Sequence, residues 1–92
     1  MNLNLEDAVI VDVRTPDEYR QQHIPNAVNI PLDQLAVRFA DIRSWGKPVV
    51  FYCRVGNRSG MAVSMLKQQG FADVYNGGGL EEMKRALSNT RK

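Results

Sequence analysis

Cys53 is the sole cysteine of the chain, and it lies in the stretch YCRVGNRSG, Tyr52 to Gly60, which also holds two arginines and two glycines. A free cysteine most often packs as a small buried hydrophobe. Here an apolar run, KPVVFYC, ends at the thiol, and a helical pattern begins near Ser59, so the thiol stands at a strand-to-helix junction. Between the two, Arg54-Val55-Gly56-Asn57-Arg58 can turn backbone N–H groups inward, because Gly56 and Asn57 both tolerate left-handed conformations. Such a loop is an anion nest. The positive end of the following helix and the guanidiniums of Arg54 and Arg58 should favour thiolate over thiol. Cysteines in such settings fall to pKa values of roughly 3.5 to 7.5 from about 8.5. Cys53 is therefore the candidate nucleophile, with Arg54, Val55, Gly56, Asn57, Arg58 and Ser59 as its candidate substrate cradle.

No partner base is evident. His23, the only histidine, stands far upstream in a turn that also holds Pro25, and it reads as a structural hydrogen-bonder, which argues against a Cys-His hydrolase. The loop suits a reaction in which cysteine both attacks and leaves as an anion. Sulfur transfer through a persulfide and phosphoryl transfer through a phosphocysteine both qualify. A phosphatase or arsenate reductase loop places an arginine after five intervening residues, where it clamps oxyanion oxygens bidentately. Ser59 holds that place here, and Arg58 falls one residue earlier. The shorter cradle encloses a single sulfur better than a tetrahedral phosphate.

The rest of the chain supplies the elements that position this loop. AVIVDV, Ala8 to Val13, reads as a strand, and RTPDEYR as a short helix with Thr15 as N-cap, Pro16 in the first turn and Glu18 closing a capping box. HIPNAVNIP suggests a turn, a very short strand around Ala27 to Ile30, and another turn. Leu32, Leu35, Phe39 and Ile42 recur at helical spacing up to Gly46. Val49 to Cys53 is the strongest strand, followed by a helix from Ser59 to Gln69 that stops at Gly70. FADVYNGGG gives a fourth brief strand and a flexible turn, and Leu80, Met83 and Leu87 make the buried stripe of a last helix. Strands alternating with helices imply right-handed crossovers and a mainly parallel sheet of four to five strands with helices on both faces. In such sheets, ligands sit beyond the carboxyl ends of the strands, where Cys53 falls.

Composition narrows the classes further. Ninety-two residues, 43% apolar and 24% charged, suit one globular domain spanning residues 1–92. A net charge of +2, with Lys84, Arg85, Arg91 and Lys92 as the only cluster, gives no reason to expect nucleic-acid binding. That cluster reads as a solvated pattern at a helix C-terminus. A lone cysteine without a Cys/His cluster predicts neither a disulfide nor a metal site, and no phosphate-loop motif calls for an organic cofactor. No apolar run approaches the length that spans a bilayer, and no signal-peptide pattern opens the chain. A reducing, cytoplasmic setting is the expectation.

VIVDVRTPDEY, HIPNAVNIP, YCRVGNRS and VYNGGGLEEM, in this order, closely resemble the signatures of the single-domain rhodaneses. The resemblance covers nearly the whole chain. It implies a rhodanese-like α/β fold and a sulfurtransferase in which Cys53 takes the sulfane sulfur of thiosulfate or a similar donor. It further implies release of sulfite and discharge of the persulfide to cyanide, a thiol, or a thioredoxin-like or other sulfur-acceptor protein. A carrier module that delivers persulfide sulfur to a partner protein is the alternative. Arg54 and Arg58 match loop positions that bind the anionic donor, while Asp12 and Arg14 are expected to hold the strand end and neighbouring loops, with His23 a further structural support. Two departures stand out. The family usually has glycine where Gln22 and Asn26 stand, and its members commonly carry more chain before VDVR, so an edge strand is expected to be reduced to NLN or absent.

Overall fold

The computed structural model describes residues 4–90. Four strands, β1 (Val9–Asp12), β2 (Val28–Asn29), β3 (Val49–Cys53) and β4 (Val74–Gly79), form one sheet in the order β2-β1-β3-β4, with every neighbouring pair parallel. Four α-helices connect and close it: α1 (Pro16–Gln21), α2 (Phe39–Trp45), α3 (Asn57–Gln68) and α4 (Leu80–Thr90).

The topology follows from crossover handedness. From β1 the chain steps outward to β2, then returns past β1 to β3 and continues to β4, so its direction reverses once. Connections of one hand that run in opposite directions lie on opposite faces of a sheet. Packing agrees. Leu35, Ile42, Ala62 and Leu66 join Val11, Val49, Phe51 and Cys53 on the face covered by α2 and α3. Tyr19, Leu80 and Met83 join Ile10, Val50 and Tyr52 on the face covered by α1 and α4. All five β3 residues are buried, as a central parallel strand covered on both faces requires. The reversal also leaves a crevice beyond the carboxyl ends of β1 and β3, where open α/β sheets bind ligands.

Several local readings need revision. The segment from Leu32 to Gly46 is not one helix: Leu32–Arg38 is a 3₁₀ run that tightens onto the core through Leu35, and α2 begins only at Phe39. The glycine run is not a flexible turn. β4 continues through Gly77, Gly78 and Gly79: Gly77 is a bulge, and Gly78 and Gly79 pair with Tyr52 and Cys53 of β3. A side chain at Gly79 would overlap the backbone carbonyl of Arg54, so glycine there permits the close approach. The residues that replace the family's glycines cause no conflict. Gln22 ends α1 in an extended backbone at φ −168°, which any residue adopts, and Asn26 takes the left-handed region at φ 69°. Of the NLN segment, Asn2 and Leu3 lie outside the described residues, while Asn4 caps a 3₁₀ turn, Leu5–Asp7. Arg91 and Lys92 of the terminal basic cluster also lie outside them.

Candidate active site

β3 delivers Cys53 to the crevice, and a left-handed Gly56, at φ 102°, turns the chain into α3. The helix begins at Asn57, two residues earlier than the apolar pattern suggests, so Asn57 is helical and only Gly56 adopts the left-handed conformation. Gly56 has no side chain to cap the helix. The sulfur of Cys53 takes that role: its Sγ accepts from the backbone N–H of Gly56 at 3.0 Å and of Ser59 at 3.4 Å. Ser59 is the third helical residue, whose N–H is a usual target of a capping oxygen. A sulfur in that position feels the positive end of a twelve-residue helix.

Burial pushes the Cys53 thiol up, but hydrogen bonds from the Ser59 hydroxyl and from the N–H groups of Ser59, Gly56 and Val55 outweigh it. The thiol is therefore held below its ordinary pKa. The sequence reading credited both arginines and the nest. In the fold the hydrogen bonds to sulfur lead, and the arginines are arranged differently from one another.

Arg58 is committed. Its guanidinium forms a fork on Glu18 of α1, with Nη1 to Oε1 at 2.8 Å and Nη2 to Oε2 at 3.1 Å. That pairing, helped by hydrogen bonds from Thr15 against the cost of burial, lowers the Glu18 carboxyl to about 2. Arg58 remains close enough to feel the charge of Cys53. Arg54 is exposed and has no ion pair among the described residues. It lines an open cleft with Arg14, Glu18, Gln21, Gln22, Val55, Leu80 and Glu81, while Arg58 lines a mostly apolar one with Val13, Thr15, Pro31, Leu32 and Asp33.

Asp12 and Arg14 lie side by side at the end of β1. Arg14 Nη2 reaches Asp12 Oδ2 at 2.7 Å, its backbone N–H donates to Oδ1 at 2.9 Å, and its other contacts extend to the carbonyl of Gln22. Tyr52 completes this buried group by donating to Asp12 Oδ2 at 2.7 Å and accepting from the N–H of Ile24 at 3.0 Å. His23 is engaged by Tyr19. Its ring stacks on Tyr19 at 3.7 Å, and its Nδ1 donates to the carbonyl of Tyr19 at 2.7 Å.

Three residues of the site escaped the sequence reading. Glu18 was visible only as a capping-box residue, and Tyr52 only as part of an apolar strand. Asn76 falls within FADVYNGGG, whose pattern gives it no role. It lies on the bulged strand β4, where its Oδ1 accepts from Ser59 Oγ at 2.7 Å and its Nδ2 donates to the carbonyl of Gly56 at 3.1 Å. Among the described residues, no group of three or more histidine, cysteine or acidic side chains could hold a metal ion, and no helix is long and apolar enough to cross a membrane.

A family model described as Rhodanese-like domain matches residues 1–86. The chain belongs to this family. It is 38% identical over 74 residues to the thiosulfate sulfurtransferase PspE of Escherichia coli (strain K12), covering 79% of this chain and 71% of that one. It is 42% identical over 82 residues to the thiosulfate sulfurtransferase GlpE of Pseudomonas syringae pv. syringae (strain B728a), covering 86% and 74%. A solved structure described as rhodanese with anions from E. coli shares the fold at a TM-score of 0.75 and 37% identity, covering 82% of this chain and 89% of that one. The four-stranded parallel sheet flanked by helices is thus the rhodanese fold.

Proposed function

We propose that this rhodanese-family chain is a thiosulfate sulfurtransferase that works through a persulfide on Cys53. The observation that carries the reading is the sulfur itself, buried at the base of a loop with two backbone N–H groups directed at it. Such a cradle stabilises negative charge on Sγ both before attack and on departure, and it needs no separate base. The thiolate attacks the sulfane sulfur of thiosulfate. The donor's S–S bond breaks, and sulfite leaves with its electron pair. An acceptor nucleophile, cyanide or a thiolate, then bonds to the outer sulfur of the persulfide, and the electron pair of the breaking S–S bond returns to Cys53. The names of the relatives at 38 and 42% identity support thiosulfate as donor.

The open cleft carries Arg54, which has no ion pair among the described residues, and such a cation suits an anionic donor. Phosphoryl transfer is disfavoured on residue grounds. The place of the clamping arginine is held by Ser59, whose hydroxyl turns inward, and Arg58 is tied to Glu18.

The test is the intact mass of the protein after incubation with thiosulfate, with thiocyanate formation measured in parallel once cyanide is added. One added sulfur that disappears on cyanide treatment is expected. Cys53→Ser should remain folded and show neither signal, and turnover retained in that variant would sink the mechanism. A protein that takes up sulfur from thiosulfate but yields no thiocyanate would favour the carrier reading.

A further inference from the structure

Ser59 Oγ is surrounded by acceptors. Asn76 Oδ1 lies at 2.7 Å, the carbonyl of Gly56 at 3.1 Å, that of Gly78 at 3.5 Å, and Cys53 Sγ at 3.5 Å. A hydroxyl has one proton to give. The Gly56 carbonyl already accepts from Gly60 N–H at 3.0 Å and from Asn76 Nδ2 at 3.1 Å, which fills both of its lone pairs. The Gly78 carbonyl is at the far limit of a hydrogen bond. The contest for the proton is therefore between Asn76 and Cys53.

The Asn76 amide cannot be turned over. Gly78 N–H, at 2.9 Å, can only donate and the Gly56 carbonyl can only accept, so Oδ1 must face Ser59. With Cys53 neutral, the Ser59 proton goes to Oδ1 and a serine lone pair faces the thiol. With charge on sulfur, the proton is drawn to Sγ, since hydrogen bonds to ionised acceptors are the stronger ones. Oδ1 then still holds Gly78 N–H, so nothing buried is left unpaired. Regular pairing places Asn76: its register partner is Phe51, on the sheet face that β3 uses for Phe51 and Cys53, and the bulge at Gly77 comes directly after it.

We propose that Asn76 is a positioning residue that sets how readily the Ser59 hydroxyl donates to Cys53, and so how basic and how good a leaving group that sulfur is. The kinetic consequence rests on the sulfur-transfer reading. During loading Sγ gives up its negative charge to the new S–S bond and the Ser59 proton turns to Asn76. During discharge the electron pair returns to Sγ and the proton turns back.

The charged groups of the loop, the cleft beside it and the packed elements are Arg54 of the loop, Arg58 of α3, Asp12 and Arg14 at the end of β1, Glu18 of α1, and Glu81 and Glu82 of α4; Glu81 pairs with Lys84, and Glu82 accepts from Gly79 N–H. Tyr52, the residue before Cys53, carries a phenol held by Asp12 and Ile24. Substitutions at 59 and 76 leave all of these in place, so their effects cancel in a comparison of variants.

The test is the pH dependence of Cys53 alkylation by iodoacetamide in Asn76→Ala and Asn76→Asp, each with Ser59 present and in the Ser59→Ala background. An aspartate holds the Ser59 proton more firmly and an alanine releases it. With Ser59 present, the alkylation midpoint of Asn76→Asp should lie above that of Asn76→Ala by about one pH unit or more, a tenfold difference in thiolate fraction. In the Ser59→Ala background that gap should shrink to less than half. An undiminished gap overturns the proposal, because Asn76 would then act through charge or loop structure alone. If Asn76→Asp does not fold, Asn76→Ala is compared with the unmodified protein in the same two backgrounds, and a shift that persists without the Ser59 hydroxyl overturns the proposal equally. The readout needs no sulfur donor. Failure of sulfur transfer from thiosulfate would count against the proposed function and leave this result standing.

Discussion

Two arginines that look equivalent along the sequence differ in what they can still bind. Arg58 spends its fork on Glu18, whereas Arg54 lines the cleft with no ion pair among the described residues. Hydrogen bonds to charged groups contribute roughly 1.5 to 3 kcal/mol, so Arg54→Ala should lower kcat/KM for thiosulfate by about one to two orders of magnitude. Arg58→Ala should reduce loading by less, because the donor gains little from a cation already neutralised. Stopped-flow rates of persulfide formation in the two variants check the ranking, and equal losses would mean that Arg58 leaves Glu18 to meet the donor. This distinction was not legible in the sequence. The spacing from Cys53 to Ser59 revealed the cradle, since local loop chemistry depends on neighbouring residues. The partners of Arg58 and Ser59, Glu18 and Asn76, lie 40 and 17 residues away, and only the packing of α1 and β4 beside α3 brings them in.

Two of the fastenings between elements at the site can each be tested by a single change. The first is Glu18–Arg58, which ties α1 to α3 across the crevice. Its folded-state pKa of about 2, against an ordinary glutamate value near 4.5, means that the bond contributes stability above pH 4.5 and loses it as pH falls toward 2. Both side chains are partly exposed, so solvent screening leaves a contribution on the order of 1 to 2 kcal/mol at neutral pH. Glu18→Gln keeps the capping acceptor but not the charge. Its urea midpoint should lie below that of the unmodified protein at pH 7, and the difference should vanish near pH 2. The second fastening is the contact of Gly79 with the loop at Arg54. Gly79→Ala forces a side chain against a backbone carbonyl, an overpacking that costs about 1 to 3 kcal/mol, and should lower thermal stability and slow alkylation of Cys53 together. Strand and helix identities were readable from periodicity and caps. The 3₁₀ run before α2 and the continuation of β4 through three glycines were not, because tertiary contacts at Leu35 and Gly79 decide them.

At the scale of the molecule, one buried polar group joins the central strands to the loops around the crevice. The Asp12 carboxylate is fully enclosed, yet it takes donors from Arg14 and Tyr52, and Tyr52 in turn receives Ile24 N–H. No described buried side-chain polar atom lacks a partner. A network satisfied at every member fixes one arrangement of the chain and is costly to break in part. Asp12→Asn leaves Arg14 buried without its counter-charge, and losing one partner of a buried pair costs about 3 to 5 kcal/mol. Tyr52→Phe removes one bond to a carboxylate and orphans Ile24 N–H, which should cost about 1.5 to 3 kcal/mol. Tyr52 also gives the network a pH dependence. Burial, reinforced by the neighbouring Asp12 carboxylate against the pull of Ile24 N–H and Arg14, pushes the Tyr52 phenol far above its ordinary value. The folded state thus binds that proton more tightly than the unfolded chain does. Its stabilising effect is complete below about pH 10, the ordinary tyrosine value, and declines as pH rises beyond it. Denaturant titrations of the unmodified protein and Tyr52→Phe should accordingly show their largest separation at neutral pH and converge at alkaline pH. A constant separation through that range would mean that the phenol hydrogen bonds are not what Tyr52 contributes, and that the cost of Tyr52→Phe arises from packing.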